Sequence, residues 1–459
     1  MSDVSSSQHL GALKKYFGHE AFRGMQGKAV ESILSGRDTL CVMPTGAGKS
    51  VCFQLPAMLL DGVTFVISPL ISLMKDQIDS LSQNGIPCAG INSSLSLSEI
   101  QKVFSNAEKN KYKLIYIAPE RLESGGFASF AKTLKISMIV IDEAHCVSQW
   151  GHDFRKSYMK IPDFIDSIAQ AAAFRPFVCA FTATATPRIR EDIVKMLKLQ
   201  NPEIMVSGFD RENLNFEVRR PAKKFKELRS FLKERRNKSG IIYCLAKKTV
   251  DELSEKLKSL GFSVAPYHAG LSAQDRHKNQ EDFIFDRVRI MIATNAFGMG
   301  INKANVSFVL HYNMPKDIES YYQEAGRAGR DGRPADAVIL YSGQDTETNL
   351  FLIREGKHRQ YSSPEEEERL KSLEIERLKE MDLYCNTREC LRRYILKYFG
   401  EEIKNPQSGL QSRLQSGSQN KCKNCGNCNA NFRIKDIITA LKNILSCVLE
   451  FVKIFVKTR

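Results

Sequence analysis

The sequence predicts an α/β chain: two tandem parallel-sheet lobes followed by a small helical module. Three observations carry this expectation. Two stretches share a rhythm of short β-branched runs alternating with longer amphipathic patterns. That rhythm stops after Gly343, where a charged helical pattern takes over. Five of the twelve cysteines then fall between Cys385 and Cys428.

In the first stretch the apolar runs are 38–43, 62–68, 113–118, 136–142 and 177–183. In the second they are 239–244, 262–268, 288–294, 306–312 and 337–342. Continuous apolar strands separated by helices read as parallel sheets covered on both faces. The joint falls near Ser207 to Asn215, giving lobes over 1–208 and 209–342. The third unit, 343–430, opens on a helix over 363–385 that starts at Ser363-Pro364. The polar stretch 404–420 reads as a loop. Residues 431–459 read as an amphipathic helix, with Ile437, Leu441, Ile444, Leu445, Val448 and Val452 at helical spacing.

Composition narrows the function classes. At 42% hydrophobic and 26% charged, the chain is globular rather than disordered. Sixty-seven Lys and Arg against fifty-two Asp and Glu leave a net charge of +15, which favours a polyanionic partner. The longest apolar stretch carries Lys442, Glu450 and Lys453, so no membrane span is expected. No secretory signal opens the chain, and seven scattered cysteines argue against a disulfide framework.

The segment MPTGAGKS (43–50) follows an apolar run and opens a helical pattern. Its residues Thr45, Gly46 and Gly48 let backbone N–H groups wrap a phosphate at a helix N-terminus. Lys49 would meet the β- and γ-phosphates and Ser50 would ligate Mg²⁺. The strict P-loop pattern asks for Gly where Met43 stands, and a plain glycine turn fits the segment too. The second element decides between them. MIVIDEAH (138–145) ends an apolar strand in two acidic residues, Asp142 to hold Mg²⁺ and Glu143 to orient or deprotonate water. Together, in this order, the two motifs point to nucleotide hydrolysis.

An ordered series of further segments extends the pattern: FRGMQGKAV (22–30), VISPLISLMKDQ (66–77), AHCVSQWGHDFR (144–155), FTATATP (181–187), YHAGLSAQDR (267–276), ATNAFGMGINKANV (293–306) and YYQEAGRAGRDGRP (321–334). With these motifs, residues 10–430 resemble the superfamily 2 helicases, and within them the RecQ family of DNA helicases. The resemblance implies two RecA-like lobes with ATP between them. It places Arg23 and Gln26 at adenine, where surface capping of the first helix is the competing reading. Gln323 would lie on the γ-phosphate side, and Arg327 and Arg330 would reach across the cleft, Arg330 as the usual arginine finger. Gln149, Trp150, His152, Phe154 and Arg155 match the family's aromatic-rich loop, which would stack on single-stranded DNA; Trp150 as a crevice plug is the alternative. Thr182 and Thr184 fit either a link between lobes or local turn bonds. Translocation 3′ to 5′ on single-stranded and tailed duplex DNA, in recombination and repair, is implied by the resemblance alone.

Cys422-x-x-Cys425-x-x-Cys428 supplies three thiolates at tight-turn spacing. The family's zinc module makes Cys390, before an Arg pair, the fourth ligand, and Cys385 a non-ligand. Zn²⁺ suits four sulfurs, and an Fe–S cluster remains open at this stage. In longer relatives a winged-helix domain follows, and 436–448 looks like its first helix. Without the rest, a DNA-stimulated ATPase or annealing module that separates strands poorly is the rival to a full helicase. The chain is expected inside the cell, in a bacterial cytoplasm or, in a eukaryote, the nucleus.

Overall fold

Among the described residues thirteen strands form, most of them from short runs of apolar or β-branched residues, and they group into two sheets. In the computed structural model, residues 2–172, 174–298, 303–356, 363–401, 421–430, 442 and 445–446 are described. The expected loop 404–420 and the expected terminal helix lie outside these, apart from isolated residues of the latter.

Lobe 1 contains β1 (Thr39–Val42), β2 (Val63–Ile67), β3 (Cys88–Ile91), β4 (Leu114–Ile117), β5 (Ile136–Ile141), β6 (Phe177–Thr182) and β7 (Glu203–Val206). They lie in the order β3-β4-β2-β5-β6-β1-β7, and all the pairings are parallel. Lobe 2 contains β8 (Leu214–Arg219), β9 (Ser239–Tyr243), β10 (Val264–Tyr267), β11 (Ile290–Ala293), β12 (Val306–His311) and β13 (Ala335–Leu340), in the order β10-β11-β9-β12-β13-β8, again parallel. Every residue of β1, β2, β4, β5, β9 and β11 is buried, because helices cover both faces.

Three strands depart from the sequence expectation. β3 and β7 are lobe 1 edge strands, and each carries exposed or half-buried residues among its buried ones. An edge position needs no continuous apolar run, so neither gave one. β8 occupies part of the expected joint and is the edge strand beside β13. The hinge is therefore shorter than 207–215, ending where Leu214 enters the sheet.

Because each sheet is parallel, all its carboxyl ends open on one side, the side on which such folds bind ligands. The β1 end leads into the phosphate loop and the helix Lys49–Leu59; the β5 end carries Asp142 and Glu143. The third unit comprises helices Gly343–Glu355, Pro364–Asn386, Leu391–Tyr398 and the short Gly426–Asn429. It packs on lobe 2 through Tyr384, Met381, Ile395 and Phe399, all buried. Among the described residues no helix is long and apolar enough to cross a membrane.

Candidate nucleotide cleft, nucleic-acid loop and metal centre

Gly46 and Gly48 adopt φ of +88° and +78°, the left-handed region that glycine enters without strain. Gly48 precedes the helix Lys49–Leu59, so the loop wraps the helix N-terminus as an anion site requires. Met43, where the strict motif has Gly, buries its side chain in the core and offers its carbonyl to Lys49 Nζ at 3.2 Å. The departure is thus absorbed by the backbone.

Glu143 sits at φ +48° at the tip of β5, an uncommon conformation for a side chain with a Cβ. Asp142 Oδ1 accepts its own neighbour's N–H, from Glu143, at 3.0 Å, and Tyr158 donates its hydroxyl to the Asp142 carbonyl at 2.8 Å. Burial, and then the charge of Glu143, push the Asp142 carboxyl up to about 7, with Lys49 pulling the other way. A divalent cation would favour the ionised form. His145 Nδ1 lies 2.8 Å from Thr182 Oγ1 and 3.3 Å from Glu143 Oε2, so the end of β6 braces the acidic turn. Burial lowers the His145 pKa and keeps the ring neutral.

A cavity of about 430 Å³ lies between the lobes. Thr45, Gly46, Gly48, Lys49, Ser50, Asp142 and Glu143 line it from lobe 1, and Gln323, Arg327 and Arg330 from lobe 2. Arg330 reaches the phosphate loop itself, since a Cβ on Gly46 would lie 3.3 Å from its Cγ. Arg327 hydrogen-bonds the Gly298 carbonyl, and a Cβ on Gly298 would strike its guanidinium. Burial, then Arg327 and Arg211, push the Arg330 pKa down to about 9. Such a crowd of cations is built to be neutralised by phosphate. A larger cavity, about 790 Å³, lies between lobe 2 and the third unit, lined by Tyr243, His311 and Glu324 on one side and Asn349, Phe351 and Glu374 on the other, and has neither phosphate loop nor Asp-Glu pair.

Arg23 and Gln26 do not line the cleft. Gln26 instead buttresses the loop: its Nε2 donates to Ala47 O at 3.0 Å and Gly48 O at 3.2 Å, and its Oε1 accepts Arg23 N–H at 2.9 Å. Phe17 and His19 line the cleft without having been expected there. No motif marked them.

The loop after the acidic turn is folded down. Trp150 is half-buried, with Arg188 over its indole face and Arg377 donating to its carbonyl at 3.2 Å. His152 is buried and stacks on His145 with ring centroids 4.2 Å apart. Burial, then His145, lower the His152 pKa to about 3. Arg155 bonds Pro69 O at 2.8 Å and Asp153 at 3.1 Å, Gln149 contacts Arg369, and Phe154 is half-buried. The loop therefore touches the acidic turn at His145 and the third unit at Arg369 and Arg377. Thr182 Oγ1 accepts the Thr184 N–H at 3.3 Å, donates to the Thr184 carbonyl at 3.2 Å and also meets His145, so Thr182 makes both local bonds and the link to the acidic turn.

The sulfurs of Cys390, Cys422, Cys425 and Cys428 all lie within 4.8 Å of one another, with Cys390 and Cys425 3.9 Å apart. Four thiolates about 2.3 Å from one tetrahedral zinc would stand roughly 3.8 Å apart, so the donor set fits a single ion and is too tight for a multi-iron cluster. Backbone N–H groups of Asn424 and Cys428 approach the sulfurs of Cys422 and Cys425 at 3.4 Å, the outer-shell support expected of a thiolate site. Cys385 is buried in the core outside this cluster.

Two sheets facing one another across a phosphate loop, an acidic turn and an arginine pair define a nucleotide-driven helicase of the two-lobe class. The solved structures agree on that fold. Mycobacterium smegmatis helicase Lhr bound to ssDNA and AMP-PNP matches at TM-score 0.59 and 18% identity, over 75% of this chain and 49% of that one. Saccharomyces cerevisiae Dbp5 bound to RNA and ADP BeF3 matches at TM-score 0.58 and 20% identity, over 80% and 97%. Family models place a DEAD/DEAH box helicase domain at residues 23–193, a helicase conserved C-terminal domain at 223–332 and a RecQ zinc-binding domain at 343–429. The chain is 42% identical to ATP-dependent DNA helicase RecQ of Bacillus subtilis, over 97% of this chain and 71% of that protein. It is 41% identical to the RecQ of Haemophilus influenzae, over 86% of this chain and 62% of the relative. The chain belongs to the RecQ family of ATP-dependent DNA helicases.

Proposed function

We propose that the chain hydrolyses ATP in the interlobe cleft and uses the cycle to move 3′ to 5′ along single-stranded DNA, unwinding tailed duplexes during recombination and repair. One observation carries this reading most strongly: the phosphate loop, the acidic turn and the arginine pair line one cavity. In it Lys49 and the loop N–H groups bind the phosphates, and Ser50 and Asp142 would hold Mg²⁺, which offsets phosphate charge when bound. Glu143 accepts the proton of the attacking water. Arg327 and Arg330 stabilise charge that builds as the phosphoryl group leaves, so the reaction requires the lobes to be together. Gln149, Trp150, His152, Phe154 and Arg155 form the loop that reports bound DNA to the acidic turn, through the stacked His152 and His145.

The test pairs ATP turnover, with and without single-stranded DNA, with strand displacement from 3′-tailed and 5′-tailed duplexes. Stimulated turnover with displacement of the 3′-tailed substrate alone is the expected result. Stimulated turnover without displacement would replace unwinding by translocation or annealing. Turnover indifferent to DNA would refute the motor.

A further inference from the structure

The helix Ile318–Ala325 carries Gln323 and runs directly into the segment bearing Arg327 and Arg330. The last carbonyls of a helix lack partners within it and form the negative end of its dipole. Here three carbonyls at and just past that end accept from a single side chain outside the motifs. Arg211, in the segment joining the lobes, donates from Nη1 to Gly326 O at 3.1 Å, and from Nη2 to Ala328 O at 3.0 Å and Gly329 O at 3.1 Å. Its Nη1 also donates to Thr45 O, in the phosphate loop, at 3.3 Å. Gly326 and Ala328 flank Arg327, and Gly329 immediately precedes Arg330. One planar fork thus ties the backbone on either side of Arg327, and just before Arg330, to the loop they face.

Arg211 gives its fork to backbone carbonyls, so it acts through the segments that carry the cleft residues. It is itself held in place. Arg392, two residues after the metal ligand Cys390, donates to the Arg211 carbonyl at 2.9 Å and pairs with Asp210. Asn213 adds Nδ2 bonds to Gly329 O and Arg333 O, both at 2.8 Å.

We propose that Arg211 is a positioning residue that sets Arg327 and Arg330 against the phosphate loop, so that turnover depends on its hydrogen-bonding fork and not on its charge. The proposal rests on the hydrolytic reading above. Lysine keeps the charge but has one ammonium, which cannot span four carbonyls in a plane. The test compares wild type, Arg211→Lys and Arg211→Gln in ATP turnover at saturating single-stranded DNA, together with ATP KM, nucleotide-free DNA affinity and Tm. Both variants should lose kcat, on the order of 100-fold as for an ångström-scale misplacement. DNA affinity and Tm should stay at wild-type values and ATP KM should change much less than kcat. Full turnover in Arg211→Lys would overturn the proposal by assigning the effect to charge. So would wild-type kcat in both variants, or a loss shared equally by Tm and DNA affinity, or failure of both to fold. Absence of DNA-stimulated turnover in the wild type would instead sink the hydrolytic reading itself.

Discussion

Single residues in this chain hold conformations and ionisation states that only their surroundings explain. Glu143 holds a left-handed backbone in which the Asp142 carboxyl accepts its N–H, with His145 Nδ1 3.3 Å from its side chain. Replacing it as Glu143→Gln removes a proton acceptor and little bulk. We expect kcat to fall about 10²- to 10⁴-fold with ATP binding retained, checked by turnover beside nucleotide binding to the variant. Glu319 presents an electrostatic cost. It is 1% exposed, and burial, then Asp317, push its carboxyl up to about 7, although Tyr398 donates to Oε1 at 2.7 Å. A carboxyl titrates near 4.3 in an unfolded chain, so between roughly pH 4.3 and 7 the folded state holds a proton that the unfolded state releases. Stability therefore falls as pH rises through this window, by at most about 1.4 kcal/mol per pH unit. Glu319→Gln should raise Tm relative to wild type at pH 8 and lose that advantage at pH 5; the reverse ordering would refute the assignment. The sequence displayed Lys49, Asp142 and Glu143 through motif spacing, and Arg330 through the family resemblance. It did not display Arg211 or Glu319, whose roles come from partners distant in the chain.

Among the elements, strands buried on both faces were legible as continuous apolar runs, and β5 and β9 are of this kind. The edge strands β3, β7 and β8 were not, since an edge position needs no continuous apolar run, whereas β10, also at an edge, lay within the run 262–268. The metal module was legible in its cysteines and yet not in its contacts. Asn424 donates to the carbonyls of Glu212 and Leu214, Phe209 stacks on Phe399 at 4.4 Å, and Glu401 accepts the Phe209 N–H at 2.6 Å. The module thus grips the start of lobe 2 as well as closing on itself. A site of four thiolates gives its binding energy to folding. Cys422→Ser or a strong chelator should remove about one zinc per chain and lower Tm by several degrees, read by elemental analysis and calorimetry. Cys385→Ser should leave the zinc count unchanged. Equal metal content in Cys422→Ser and wild type would overturn the ligand set.

For the molecule as a whole, charge and topology act together. A surplus of fifteen positive charges suits a polyanion, and the nucleotide cleft concentrates part of it where two lobes meet. That meeting could not be read from one-dimensional spacing: nothing in the string 321–334 says that Arg330 will pack against Gly46. The family resemblance supplied the expectation, and the backbone at Gly298 and Gly46 supplies the room.

The strand β8 lies at the open side of its sheet, and Cys425 forms an isolated backbone bridge to its Phe216. A bare edge offers a row of unpaired amide groups to any other strand it meets. Holding Cys425 in its cysteine cluster keeps that bridge on β8, so Cys422→Ser is expected to uncover the edge and raise self-association, read by light scattering against wild type; equal scattering would refute this.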